Sequence, residues 1–395
     1  MSKRLPVTVL FLSLSLQPTL AAEKTDFAAL GREVATVVRD NFMDPERGQA
    51  WAERHVDYAA DVRNGGSFAV RTNEVLAELE TSHTRYYPRG SAGYWGLLAI
   101  FADFLEVGPV EYVSIGADVD NRDFVRRVLA GGPADEARLL RGDRIMKVGD
   151  GSLARIDPFA DQAGVQIEIL VERGPKKRAK LRVTPRHINP KEEWIEAQRQ
   201  GARLISREDV KVGYVPLYWC VGEEVTELMR ELIAERFADA DAMILDFRDG
   251  WGGCNPDFLN FFNTVPPVLT LIDREGERRS SDPQWRKPLY ILINGGTRSG
   301  KEVVAYAVQR EMLGVLVGER TAGFVVGGRP FLLSDGSVLY LAVMDVEVDG
   351  QRLEGVGVAP DVEVPDQLDL AAGADPQLER AVDLAVEQCR AATSH

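Results

Sequence analysis

The run Ala242-Met-Ile-Leu-Asp-Phe-Arg-Asp-Gly-Trp-Gly-Gly253 decides the fold. Ala242–Phe247 is largely apolar, as a strand buried within a sheet must be. The chain then breaks into charge and glycine, the composition of a tight turn. Working outward, strand and helix alternate. Val210–Val215 reads as a strand. Glu223–Arg236 places Val225, Leu228, Leu232 and Ile233 on one helical face. Leu289–Ile293 is a further strand, followed by a helix from Ser299 to Met312. Val315–Val317 and then Val338–Met344, part of a hairpin, complete the series. Alternation of this kind predicts an α/β core over residues 191–395.

Residues 23–90 read differently. Phe27, Leu30, Val34, Val37 and Val38 share one helical face. Asp44-Pro45-Glu46 starts a second helix that carries Trp51, Val56 and Ala59. Gly65-Gly66-Ser67 interrupts it, and Val70, Val75, Leu76 and Leu79 form a third face. A small helical bundle is expected. Over 91–190, Tyr94–Leu105 reads as one helix. Short β runs follow at Tyr112–Ile115, Phe124–Val128, Arg144–Val148, Gln166–Val171 and Lys180–Val183.

Composition removes several functions. The chain has 395 residues with a formal net charge of −14 and no basic block, so it lacks the clustered cations that phosphate contacts need. Four scattered His and three scattered Cys make neither a CxxC pair nor an HExxH site, so no metal or other cofactor is expected. An odd number of Cys leaves at least one of Cys220, Cys254 and Cys389 outside an intrachain disulfide. Residues 1–22 have a basic start, an apolar run over 7–16 and Ala21-Ala22, the pattern of a secretory signal peptide. A periplasmic or secreted protein is expected, with no membrane span in the mature chain.

Four stretches call for a mechanism: Thr81-Ser-His-Thr84, Asp246–Gly253, Asn294-Gly-Gly-Thr-Arg-Ser-Gly-Lys-Glu302 and Glu354-Gly-Val-Gly-Val-Ala-Pro-Asp361. Ser299 lies at a strand-to-helix junction, where free N–H groups and the helix dipole favour negative charge. Four His are scattered along the chain, and only His83 has such a motif around it.

In this order, the stretches resemble the C-terminal processing peptidases and the tricorn core, a family of serine peptidases. Gly318-Glu-Arg-Thr-Ala-Gly323 and Ser334-Asp-Gly-Ser337 also match family positions. Val128-Leu-Ala-Gly-Gly-Pro-Ala-Asp-Glu-Ala-Arg-Leu139 and Arg141-Gly-Asp-Arg-Ile-Met-Lys-Val-Gly-Asp150 resemble a PDZ domain. The resemblance implies a multidomain α/β protein: an N-terminal helical bundle, a PDZ-like β domain and a crotonase-like (ClpP/crotonase-type) core. It implies Ser299 as nucleophile, with the N–H groups of Gly300 and of Gly252 or Gly253 as the oxyanion hole. One branch of the family activates its serine with a Lys in a Gly-Lys-Gly motif, but this chain has Phe324 there. The tricorn-like branch uses a His preceded by Ser, with a Glu near the C-terminal end, which implies Ser82, His83 and Glu354. Lys301, two residues from Ser299 on a helix, should point elsewhere. Ser114-Ile115-Gly116-Ala117 falls where a PDZ domain holds a peptide's terminal carboxylate. The partners implied are protein or peptide substrates, possibly recognised through free C-termini, and an oligomer is compatible with the family. The alternative is a non-catalytic peptide- or ligand-binding protein on the same scaffold, which the loss of the Lys would favour.

Overall fold

The computed structural model describes residues 25–174, 177–282 and 284–393. The predicted leader and His395 lie outside them. Three helices open the chain. α1 (Phe27–Asn41) is capped by Asp26, whose carboxylate accepts from the Ala29 N–H, and buries Leu30, Val34 and Val38. α2 (Pro45–His55) starts on Asp44 with Pro in its first turn and turns Trp51 inward. α3 (Gly65–Ala77) begins within the predicted interruption: Asn64 caps it by accepting from Ser67 N at 2.8 Å, so the two glycines form its first turn. The strand β1 (Arg85–Tyr87) follows. The single helix expected next is broken at Phe101 into α4 (Ala92–Ile100) and α5 (Ala102–Leu105).

The middle region is β-rich. It contains β2 (Tyr112–Ser114), β3 (Ala117–Val119), β4 (Val125–Val128), α6 (Pro133–Glu136), β5 (Asp143–Val148), β6 (Ile167–Arg173), β7 (Arg178–Val183) and β8 (Arg186–Ile188). β5, β6 and β7 form an antiparallel sheet, while β3 pairs with β4 and β2 with β8. Ile115, Val125, Ile145, Ile169 and Val171 close its own core.

α7 (Pro190–Gly201) leads into the core sheet. The core's strands and helices are β9 (Arg203–Arg207), β10 (Val210–Pro216), α8 (Glu223–Glu231), β11 (Ala242–Asp246), β12 (Leu269–Ile272), β13 (Arg278–Ser281), β14 (Leu289–Ile293), α9 (Gly300–Arg310), β15 (Val315–Gly318), β16 (Gly327–Leu332), β17 (Val338–Met344), β18 (Val362–Glu363) and α10 (Pro376–Thr393). Six strands run in the order β18-β15-β14-β11-β10-β9, all parallel except β9. α10 covers one face with Leu378, Val382 and Val386. α8 and α9 cover the other with Leu228, Val304 and Val308 against Leu245 and Ile291. β11 is buried on both faces, as its apolar run requires.

Two hairpins leave this sheet. β16 and β17 pair with each other, and β1 adds to β17 through Arg85–Tyr340, Tyr86–Leu339 and Tyr87–Val338. The N-terminal helices pack on this three-stranded sheet, with Leu30, Val34 and Phe68 sharing a core with Leu339 and Leu341. That pairing delivers the segment just before β1 to the core. The other hairpin, β12–β13, had no counterpart in the sequence reading, and all four residues of β12 are exposed.

Candidate active site

Ser299 is the N-cap of α9, at the carboxyl end of the central β14. In open α/β sheets this is where ligands bind. Its backbone has φ 59° and ψ −134°, a conformation that only glycine adopts without strain. Two contacts hold it there. The Ser299 N–H donates to Phe324 O at 2.8 Å and to Glu302 Oε2 at 3.2 Å.

Glu302 is wholly buried and organises the segment beside Ser299. Its carboxylate accepts from Thr321 Oγ1 at 2.5 Å, Gly323 N at 2.7 Å and Phe324 N at 2.8 Å. Burial raises its pKa, and these donors oppose the rise. The sequence reading quoted Glu302 without giving it a role. The signal was the Ser-x-x-Glu capping box.

Glu354 pins the next two residues. Its Oε2 accepts from Val325 N at 2.8 Å, Val326 N at 3.2 Å and Ser82 Oγ at 2.9 Å, and its Oε1 from Ser82 N at 2.8 Å. Ser82 Oγ is also 2.9 Å from His83 Nδ1. Glu354, Ser82 and His83 therefore form one hydrogen-bonded series, with the serine between carboxylate and imidazole. The Phe324 carbonyl that receives the Ser299 N–H and the Val325 N–H that donates to Glu354 belong to one peptide group. No hydrogen bond joins Ser299 Oγ to His83 directly among the described residues. The His83 pKa falls to about 4, first because the ring is removed from water, then because Arg298 is close, with Glu354 opposing. His83 is thus neutral, the form a general base requires.

The glycine turn after β11 faces Ser299 from the other side. A Cβ on Gly252 would stand 2.6 Å from Ser299 Cβ and 3.2 Å from its Oγ, so only glycine fits. At Gly300 a Cβ would lie 1.8 Å from Cys254 O. Gly253, at φ 87°, lies against Val221 instead, which favours Gly252 as the residue beside the hydroxyl. No acceptor among the described residues takes the N–H of Gly252, Gly253 or Gly300.

Cations hold this turn through its carbonyls. Lys301 is fully buried and donates to the carbonyls of Leu217, Phe247 and Asp249, the last at 3.1 Å, and so points away from Ser299 as its spacing predicts. Burial lowers its pKa to about 7, with Arg127 adding to the effect. Arg298 donates to Gly250 O from Nε at 3.0 Å and Nη2 at 2.6 Å. A disulfide, Cys220–Cys254, ties the end of the turn to the segment after β10. The adjacent Arg248 and Asp249, a possible pair by sequence, are not partners. Arg248 binds Asp246 and Asp375, and Asp249 meets Arg126 of the middle region at 2.8 Å.

The predicted carboxylate loop is engaged within its own region. Ser114 Oγ accepts from Gly116 N at 3.0 Å, Ile115 O from Ala134 N, Gly116 O from Leu129 N, and Ala117 pairs with Val128. Glu193 Oε1 stands 3.1 Å from where a Gly116 Cβ would be, and burial, with Asp118 nearby, lifts the Glu193 pKa to about 8. Among the described residues there is no cluster of three or more metal-ligating side chains, and no helix long and apolar enough to cross a membrane.

Residues 211–364 match peptidase family S41. The chain is similar to a carboxyl-terminal-processing protease of Synechocystis, 25% identical over 85% of this chain and 80% of that one. It is also similar to a putative tricorn protease homolog of Streptomyces coelicolor, 28% identical over 90% of this chain but 32% of the relative. Among solved structures, the tricorn protease shares the fold with a TM-score of 0.55 and 19% identity, over 92% of this chain and 37% of that one. The resemblance read from the motifs is borne out, and the family match and the sequence relatives support a serine-type peptidase.

Proposed function

We propose that this chain is an exported serine endopeptidase that cleaves protein or peptide substrates through an acyl-enzyme. Ser299 attacks the scissile carbonyl. His83 accepts its proton and later returns it to the leaving amine. Ser82 and Glu354 hold the imidazole by Nδ1, the role a buried carboxylate fills directly in a Ser-His-Asp triad. The N–H groups of Gly300 and Gly252 receive the oxyanion, and water releases the acyl group.

The observation that carries this reading is the series Glu354–Ser82–His83, reaching Ser299 through Phe324 and Val325. A binding scaffold needs no such alignment. Closure of the imidazole onto the hydroxyl accompanies substrate binding, since catalytic hydrogen bonds in unliganded sites are often long. The β-rich middle region is PDZ-like and presents peptide tails to the crotonase-like core. Export suits the Cys220–Cys254 bond, which persists where thiols are oxidised.

Ser299→Ala tests the nucleophile. Peptide hydrolysis should fall by about 10⁵-fold or more, as for loss of other serine nucleophiles. Labelling by a fluorophosphonate should vanish in Ser299→Ala and in His83→Ala. Peptide cleavage that survives in Ser299→Ala refutes the assignment, and a wild-type protein that binds peptides without cleaving them favours the scaffold.

A further inference from the structure

The residue before the nucleophile is unusually placed. Arg298 aims its guanidinium back across the cleft, not into solvent. Nε and Nη2 both donate to Gly250 O, and the cation lies 5.2 Å from the centre of the Trp251 ring. Gly250 has φ 71°, and Trp251 N donates to Tyr218 O at 2.9 Å. The turn that ends in Gly252 is therefore fixed on one side by the segment after β10 and on the other by Arg298.

We propose that Arg298 is a positioning residue for the Ser299 reaction, holding the Gly250–Gly252 turn so that the Gly252 N–H meets the developing oxyanion, while its positive charge acts on the base His83. The two effects have separate causes. A planar fork makes the double contact to Gly250 O and stacks on Trp251, which an ammonium cannot reproduce. A positive charge disfavours a second positive charge on the imidazole. The groups facing that imidazole are Arg298, the Ser82 hydroxyl leading to Glu354, and Tyr340, whose ring centre is 5.3 Å away. Burial keeps the Tyr340 phenol protonated, so Arg298 and Glu354 are the charges that matter. Arg298 acts against imidazolium, and Glu354 for it.

The inference rests on the peptidase reading, and two variants test it. Arg298→Met removes fork and charge, while Arg298→Lys keeps the charge. Both should lower kcat by about 30-fold or more with KM nearly unchanged, because a misaimed oxyanion donor is lost mainly in the transition state. Only Arg298→Met should raise the His83 pKa, moving the acid limb of kcat/KM upward. Proton NMR titration of the imidazole, assigned with His83→Gln, reads that shift without activity. An active wild type whose Arg298→Met variant keeps kcat, or leaves the imidazole titration unmoved, overturns the proposal alone. A wild type that neither cleaves peptides nor labels at Ser299 overturns the peptidase reading and this inference with it.

Discussion

Two segments flank Ser299, and they are held by opposite charges. From Thr321 to Val326 every backbone N–H has an acceptor: Val358 O, Thr297 O, the two oxygens of Glu302 and Oε2 of Glu354. Carboxylates fasten this segment by consuming its donors. From Phe247 to Gly250 the fastening runs the other way, with Lys301 and Arg298 donating to carbonyls. The N–H groups of Phe247, Arg248, Asp249 and Trp251 also find acceptors within the fold, which leaves those of Gly252 and Gly253, at the end of the turn, for a ligand. The difference identifies the side on which negative charge can develop.

The largest expected effect comes from breaking the anionic side. Glu354→Gln presents an amide to donors that need a carboxylate and loosens Ser82. Peptide hydrolysis should show kcat reduced by about 10³-fold, a tenth of the loss seen when a triad carboxylate is replaced directly, because Ser82 still contacts the ring. A loss under tenfold would make Glu354 only a brace for Val325 and Val326.

A smaller effect should follow on the cationic side. Replacing Cys220 and Cys254 with Ala removes one restraint and leaves Lys301 and Arg298 in place. Urea unfolding should show a loss of about 2–4 kcal/mol, the usual range for a native disulfide. We expect kcat to fall by about tenfold, the 1.4 kcal/mol that a partly misplaced oxyanion donor represents. An unchanged kcat would show that the two cations suffice.

The smallest effect is on pH dependence. With the His83 pKa near 4, kcat/KM should hold from neutrality down to about pH 5 and fall by half near pH 4. The same shift has a stability consequence. The unfolded imidazole binds its proton near pH 6.5, above the folded value, so the contribution is full above pH 6.5 and is lost as pH falls through 4. His83→Gln should flatten the unfolding free energy across that window. An acid limb at pH 6.5 in the wild type would remove the burial argument.

Motif order made the place of the candidate site legible, because strand, turn and helix N-terminus each impose a residue type. Gly252 and Gly300 had to be glycine for reasons of space, and Ser299 with Glu302 wrote a capping box into the sequence. What was hidden depends on distant partners. Arg248 turns from Asp249 because α10 brings Asp375, 127 residues later, to its guanidinium. Asp249 turns to Arg126 because the middle region folds back on the core. With three Cys, nothing in spacing chose Cys220 and Cys254, and the double contact of Arg298 needs coordinates to be seen.

The bond between Ser82 and Glu354 spans 272 residues of sequence. During synthesis the imidazole emerges long before its carboxylate exists, and β1 cannot join β17 until most of the core has been made. No nascent fragment that stops short of Glu354 holds Ser82, His83, Ser299 and Glu354 together. On the proposed mechanism such a fragment lacks its carboxylate, so activity waits on the order in which the chain is written.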